Sequence, residues 1–457
     1  MEMESKRVRI QFLQSSHQGL VMAYDLCREL GIETKKQIYV QLGQKKVYTR
    51  LLKTRCGTRE IWFPPTLRKE LVVPFGGEMH VKVEGDTVRI GPSVGILTTG
   101  ISLVGNKLVS GRASFFRHLL SAQKGVGMYY FLFSPGSVDW EHRTVRGIFL
   151  QEGNSGVGWR QATVPIPDVI YNRIPDRGSE RSLSVKHFIE KIESFPNCKM
   201  FNPTFFNKWS IHQRLQGHSF ATQHIPETYV SPNVSRIENM LQKYRMVYLK
   251  PGSGSLGLGI IKVVYKPGEG FFCSYNSKGQ NVVRRYRSLP TLLQAHISRS
   301  RLGTYLVQQG IRLIKYNGRP LDFRVHAHKN SNNEWVVAAI AAKIAGQGSV
   351  TTHVRTGGTV ISGQELLQRV FQSRGSEVEA SLKETAVKLA EAIESRVDQN
   401  IGELGFDLGI DETGHIWMFE ANSRPGRSIF KHDSLKEADR KSIYLIVDYS
   451  RYLANFK

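Results

Sequence analysis

The sequence predicts a mixed α+β and α/β chain: a small β-rich N-terminal domain over 1–92, an open α/β module over 93–202, and an α+β region over 203–457 that divides near residue 300. Three observations lead there. A chain of 457 residues is long enough for several packed units. Its hydrophobic pattern changes from short alternating runs to alternating strand and helix patterns near residue 92, and again after Phe201-Asn202-Pro203. Two polar motifs, a glycine-rich loop at 252–259 and a carboxylate-bearing hairpin at 405–426, each lie between strand patterns instead of opening a helix.

Composition bounds the class. A hydrophobic fraction of 40% and a charged fraction of 22% are ordinary for a globular chain. The net charge of +24, from 63 Lys and Arg against 39 Asp and Glu, predicts attraction to polyanions. The basic residues form no tail, which makes nucleic acid the weaker partner class; the densest cluster is Arg284, Arg285 and Arg287. Cys27, Cys56, Cys198 and Cys273 lie far apart without a CxxC, against a disulfide framework or zinc site and for a reducing, cytoplasmic compartment. The start, MEMESKRVRIQ, has no apolar signal core, and no apolar run is long enough to span a bilayer.

Within the first module, strands are expected at 8–12, 37–42, 46–51, 60–63, 79–84 and 87–90, with one helix at 22–30. This fits a small barrel or open sheet with a docking role. The run Gly91-Pro92-Ser93-Val94-Gly95 has the spacing of a nucleophile elbow, but that motif needs a strand, a sharp turn and a helix, whereas here the chain continues as a strand. A serine nucleophile is rejected. The next module alternates helices at 114–124 and 183–194 with a strand at 128–133 and an extended run at 162–169. Its run Tyr171-Asn172-Arg173 ends a strand, where open α/β sheets bind ligands; residues tying down a turn explain it equally well. After the boundary a helix through Leu215 sets Lys208 near its N-terminus, and His212, His218 and His224 are read as packing or surface residues because their spacing of six suits neither a helix face nor zinc.

The run Lys250-Pro251-Gly252-Ser253-Gly254-Ser255-Leu256-Gly257 contains a literal GxGxxG, but a dinucleotide fingerprint would open a helix and a P-loop would carry Gly-Lys-Ser or Gly-Lys-Thr. Strand, glycine loop, strand makes a flap whose N–H groups close over phosphates, with Lys250 reaching one of them; a flexible hairpin with an incidental lysine is the competing explanation. Tyr305 to Ile311 is a strand entering a loop, a hinge where an adenine edge meets backbone and the amides of Gln308 and Gln309. Asp322 and Arg324 share one face of a strand, Lys343 points out of the apolar run 336–344, and the loop 346–358 carries His353 and Arg355. A helix over 376–401, with Ser376 and Glu379 as a capping box, and a closing helix over 434–452 frame the last motif.

That motif, GFDLGIDETGHIWMFEANSRPG, reads as a hairpin around Asp411-Glu412-Thr413-Gly414. Pairing Ile410 with His415 gathers Phe406, Leu408, Ile410, Trp417, Phe419 and Ala421 on one apolar face. Asp407, Glu420 and Asn422 share the other, with Asp407 and Glu420 as diagonal neighbours. Two carboxylates brought together need a cation, and hard oxygen donors without Cys or His suit Mg²⁺ or Mn²⁺. A solvated polar edge is the alternative.

In order, a glycine flap with an upstream lysine, a hinge, a D-x-R strand, a basic residue before a Gly-Gly loop, then Asp and Glu-x-Asn on a hairpin resemble the ATP-grasp superfamily, and the Ile-Gly-Pro joint, the Tyr-Asn-Arg-Ile run and the Phe-Asn-x-Trp helix start resemble its YheC/YheD family of endospore-coat-associated proteins. The resemblance implies two α+β subdomains clasping ATP, preceded by an open α/β pre-ATP-grasp module. It implies that Lys208, Lys250, Ser253, Gly254 and Gly257 serve the phosphates, Gln308, Gln309 and Ile311 the adenine, Asp407, Glu420 and Asn422 the Mg²⁺ or Mn²⁺, and Lys343 with Arg324 the transferring phosphoryl group. The implied activity joins an acidic carboxylate substrate to an amine donor through an acyl phosphate, with spore-coat proteins as partners. Against related ligases the chain has Gln309 for an acidic hinge residue, Lys343 for Arg and His353 for Asn before the Gly-Gly loop. Lys gives a point charge where Arg gives a planar fork. A catalytically silent ATP-binding coat protein is the second reading.

Overall fold

The computed structural model describes residues 4–14, 17–55, 59–153, 156–252, 259–277, 279–347, 349 and 357–456. Strands Lys6–Phe12, Leu20–Ala23, Gln37–Leu42, Lys45–Thr54, Glu60–Phe63, Gly77–Glu84 and Thr87–Gly91 close into a barrel. Alternate residues such as Val8, Ile10, Ile38, Val40, Val81, Val88 and Ile90 fill it, as the two-residue period of a strand demands, and closure leaves no free edge. Two elements differ from expectation. Met22 and Ala23 belong to a strand paired with Lys53 and Thr54, so the helix starts only at Tyr24; pairing inside the barrel overrides the local helix pattern. Helix Pro65–Leu71, unforeseen, is started by a proline in its first turn and ended by Val72 at φ 55°.

The second sheet runs in the order Val138–Asp139, Thr144–Gly153, Tyr129–Phe133, Ser93–Leu97, Val169–Asn172, Lys199–Phe201, and Gly156–Pro165 pairs with Thr144–Gly153. Ser93–Leu97 is a central strand, parallel to both neighbours. Ser93 is buried and its N–H donates to Asp168 Oδ2 at 2.9 Å, which rules out an exposed nucleophile.

Two further antiparallel sheets follow. In one, the order is Thr228–Val230, Tyr305–Gln309, Met246–Pro251, Ile261–Lys266, Gly270–Ser277, Gln280–Tyr286; helices Val234–Tyr244 and Leu289–His296 cover one face through Ile237, Met240, Leu241, Leu292 and Leu293. In the other, the order is Thr359–Ser362, Trp335–Ile344, Arg319–Lys329, Glu403–Ile410, Ile416–Asn422. Its apolar face takes Leu382, Ala386, Leu389, Ala390 and Ile393 from helix Gly375–Glu394, the three-and-four spacing expected of a packed stripe. This helix lacks the expected Ser376 cap: it emerges from the 3₁₀ turn Gln372–Arg374 with no side-chain cap. The reason is packing, because a Cβ at Gly375 would lie 2.8 Å from Gln368 Cα. No helix among the described residues is long and apolar enough to cross a membrane.

Helix Lys436–Leu453 joins the second sheet to the last, burying Ile443, Ile446, Val447 and Tyr449 against Tyr171 and Phe201. Beneath it His326 and His328 are wholly buried, His326 edge-on to Phe430 and His328 Nε2 3.0 Å from Ser442 Oγ. Burial first, then the charges of Arg427 and Arg173 (with Arg324 as well at His326), holds both imidazoles neutral, well below their ordinary 6.5. Below about pH 6.5 the unfolded chain therefore binds more protons than the folded one, and stability falls as pH falls. The urea midpoint is expected to drop between pH 7.5 and 5, and His328→Asn to flatten that slope; an unchanged slope refutes the assignment.

Candidate functional site

The hairpin Glu403–Ile410 and Ile416–Asn422 turns on Asp411, whose Oδ1 accepts from the N–H groups of Thr413 (2.9 Å) and His415 (3.0 Å). Its register differs from expectation. Ile410 pairs with Ile416, Gly409 with Trp417 and Leu408 with Met418; Phe419 is then bulged, so that Asp407 meets Glu420 and Gly405 meets Asn422. The core side holds Ile416, Met418 and Ala421 beside Phe406, Leu408 and Ile410. Trp417 and Phe419, placed in the core by the sequence pattern, are outside it. Trp417 Nε1 donates to Asp411 Oδ2 at 2.8 Å, satisfying a donor that the core would have stranded. Phe419 lies over Gly409, where a Cβ would come within 2.5 Å of its ring. One consequence concerns the acids: Asp407 and Glu420 are directly opposed, not diagonal.

The neighbouring strands bring the expected basic residues onto this face. Arg324 pairs with Asp407 across the sheet, and Asp322 with Lys343. Lys343 Nζ lies 2.8 Å from Asp407 Oδ1 and 3.0 Å from Asp322 Oδ1, and Arg324 Nη2 lies 3.2 Å from Asp407 Oδ2. Burial lowers the affinity of Lys343 for its proton, but Asp407 and Asp322 outweigh it and leave the ammonium above its ordinary value. With the Asn422 amide turned to satisfy both its atoms, its nitrogen donates to Glu420 Oε1 at 2.9 Å and its oxygen accepts from Arg324 Nη1 at 3.2 Å. Asp322 is the residue that sequence reasoning left out of the site, although its alternation with Arg324 was visible.

The donor set fits a divalent ion. Among the described residues no three His, Cys, Asp or Glu side chains converge, but two carboxylates and one amide oxygen on adjacent strand positions are hard donors suited to Mg²⁺, which commonly keeps water and phosphate oxygens in its remaining positions. Lys343 and Arg324 already balance Asp407, so an ion binding there shares that carboxylate with them.

On the other sheet Lys250 Nζ donates to Gln308 Oε1, and Gln308 Nε2 donates to Thr228 Oγ1 at 3.0 Å. Gln308 is buried by these bonds, and Gln309 Oε1 accepts from the Glu227 N–H at 3.1 Å. The hinge is tight: Gly310 N–H donates to Met246 O at 2.9 Å, and a Cβ at Gly310 would lie 2.7 Å from that oxygen. Gly310→Ala is expected to cost about 1–3 kcal/mol, read as a lower urea midpoint; an unchanged midpoint shows that the hinge yields. Ile311 is buried beside it. Ser253, Gly254 and Gly257 of the flap, with His353 and Arg355, lie outside the described residues, as does the side chain of Lys208. The backbone at Lys208 opens helix Lys208–Leu215, whose first N–H groups donate to Asn207 Oδ1. One turn on, burial and then the charge of Lys250 lower His212 to about 4.

Tyr171 and Arg173 bind elsewhere. Both contact Glu403 Oε1, at 2.7 and 2.6 Å, so the Tyr-Asn-Arg run ties the second sheet to the hairpin strand.

A family model described as YheC/D like ATP-grasp matches residues 197–453. The endospore coat-associated protein YheD of Bacillus subtilis (strain 168) is 34% identical over 420 residues, covering 91% of this chain and 91% of that protein. YheC of the same strain is 22% identical over 318 residues, covering 69% of this chain and 85% of that protein. Among solved structures, D-alanyl-alanine synthetase A from Vibrio cholerae O1 biovar eltor superposes with a TM-score of 0.44 at 12% identity, over 80% of this chain and 99% of that one. The match of the family model over the sheets that carry the hinge and the hairpin, together with YheD along most of the chain, places this protein in the YheC/D-like ATP-grasp family.

Proposed function

We propose that the chain binds ATP and Mg²⁺ between the two C-terminal sheets and joins a carboxylate to an amine. The observation that carries this is the polar face on which Asp407 opposes Glu420 with Lys343 and Arg324 against it. A carboxylate is a poor electrophile. Its oxygen attacks the γ-phosphorus, ADP leaves, and the acyl phosphate is then attacked by the amine with loss of phosphate. Asp407, Glu420 and Asn422 would hold Mg²⁺, which when bound supplies neutralisation of phosphate charge. Lys343 and Arg324 offer cationic donors to the phosphoryl oxygens as they gain charge. Lys250, with Lys208 and the N–H groups of Ser253, Gly254 and Gly257, would steady the polyphosphate; Gln308, Gln309 and Ile311 would line the adenine. A net charge of +24 favours an acidic peptide or polymer as acceptor, and the names of the relatives favour a place at the endospore coat.

The test is ADP release over a panel of acidic amino acids, dipeptides and cell-wall fragments with varied amines, with and without Mg²⁺. Magnesium-dependent ADP formation with one pair is expected. A second reading, an ATP-binding coat protein without ligase chemistry, is favoured by the balancing of Asp407 by Lys343 and Arg324. ATP-dependent thermal stabilisation with no ADP across the panel selects it.

A further inference from the structure

The positive charge is not evenly carried. Residues 259–319, 61 of 457, hold eleven Lys and Arg against one acid, Glu269, a net +10 of the total +24. Even that acid is engaged: its carboxylate lies 3.4 Å from Lys266, and its carbonyl accepts from Arg285 Nε at 2.7 Å. At the outer end of this segment, strand Gln280–Tyr286 pairs with Gly270–Ser277 along seven positions and has no described strand on its other side. Arg284 and Arg285 are exposed there, Arg287 follows, and Val283, just before Arg284, is 63% exposed.

Charged residues on an edge strand deter pairing between copies of one chain, yet the same row is an invitation to a strand of opposite charge. We propose that this edge docks an extended acidic polypeptide, whose backbone pairs with Gln280–Tyr286 while its carboxylates meet Arg284, Arg285 and Arg287 and an apolar side chain covers Val283. The proposal rests on the acidic acceptor of the ligase reading and gives it a docking surface apart from the reacting groups. Two observations favour a polypeptide over a single-stranded nucleic acid. The open strand edge offers backbone hydrogen bonds, and the ribbon offers little aromatic surface for base stacking: Tyr265, Phe271, Tyr275 and Tyr286 pack against the core beneath the sheet, and Phe272, half-buried on the other face, already has Lys266 at 4.9 Å and Arg285 at 6.0 Å over its ring. The edge also leads toward the site. Asn281 Nδ2 donates to Gln347 O at 3.1 Å, three residues beyond strand Trp335–Ile344, which carries Lys343.

The test uses the full chain without nucleotide and fluorescent poly-L-glutamate as probe, read by anisotropy across a salt series and by hydrogen exchange. Binding at low salt is expected to weaken about tenfold or more in Arg284→Glu/Arg285→Glu/Arg287→Glu and far less in Lys45→Glu/Lys46→Glu/Arg50→Glu, which changes net charge equally on the barrel. Amides of Gln280–Tyr286 are expected to exchange more slowly in the unmodified complex, a readout that needs no variant. Equal losses in both variants, protection elsewhere, or no binding at low salt overturns the proposal. So does oligodeoxythymidylate binding with the same dependence on the three arginines. The ligase reading fails separately: a chain that releases ADP with a small acidic acceptor but ignores poly-L-glutamate keeps that reading and loses this one, and a chain that binds poly-L-glutamate at the edge but forms no ADP does the reverse.

Discussion

Asp407→Asn is expected to cut magnesium-dependent ADP formation by about 100-fold or more and to leave the chain folded. Asparagine keeps the shape and removes the charge. In the present arrangement one carboxylate faces two cations, Lys343 at 2.8 Å and Arg324 at 3.2 Å, and opposes Glu420 across the bulged pair. Without its charge, Lys343 retains Asp322 at 3.0 Å, Arg324 loses its ion pair with Asp407, and the metal donors fall from two acids and an amide to one acid and two amides. Loss of one preorganised electrostatic contact at a reacting centre costs about 10²–10³ in rate. Stability changes little by comparison, because Lys343 keeps Asp322 as its partner and Arg324 keeps a fifth of its surface in water, so neither cation is left buried and unpaired. Two measurements decide it: ADP release, and the extra thermal shift that Mg²⁺ adds to ATP. Full retention of both by a folded Asp407→Asn chain removes the metal assignment; loss of the Mg²⁺-dependent shift alone keeps the assignment even where no acceptor has been found.

The sequence revealed elements more readily than junctions. Period-two alternation in Phe406, Leu408 and Ile410 marked the hairpin strand because each of those side chains must be buried. The partner strand was placed one residue out at the turn, where Ile410 pairs with Ile416 and not His415, and two out beyond the bulge at Phe419, because neither the extra turn residue nor the bulge costs anything in the alternation pattern until the strands are paired. The strand at Met22 was missed for a similar reason: its partners, Lys53 and Thr54, lie some thirty residues on. Asp407, Glu420, Asn422, Arg324 and Lys343 were all visible as polar residues on strand faces, and the fold brings them together on one face; Asp322 was visible in the same way and not used. The Glu403 joint was not legible at all. Nothing in a Tyr-Asn-Arg run near residue 172 says that its partner stands 230 positions later.

That joint carries the largest expected change in stability. Glu403→Ala should lower the free energy of unfolding by about 3–5 kcal/mol, the usual cost of stranding one member of a buried ion pair. Glu403 is wholly buried and Arg173 nearly so, and Tyr171 OH shares the same oxygen at 2.7 Å. Its removal leaves the Arg173 cation without its carboxylate, with the Pro425 carbonyl at 3.4 Å as a distant acceptor, and leaves the Tyr171 hydroxyl unpaired. Burial argues against the pair being a net stabiliser. If the loss in the single variant is desolvation of an abandoned charge, Arg173→Met/Glu403→Leu should recover most of it, and a double-mutant cycle by urea unfolding measures that recovery. Catalysis separates the two roles. Glu403 lies on the same strand and face as Asp407, four residues away, and Asn202, bonded to the Gly402 and Glu403 N–H groups at 2.9 and 3.2 Å, holds the strand from the other side. A double variant that regains stability but not ADP release identifies the ion pair as a positioning device for Asp407; one that regains both shows that the pair serves the fold alone.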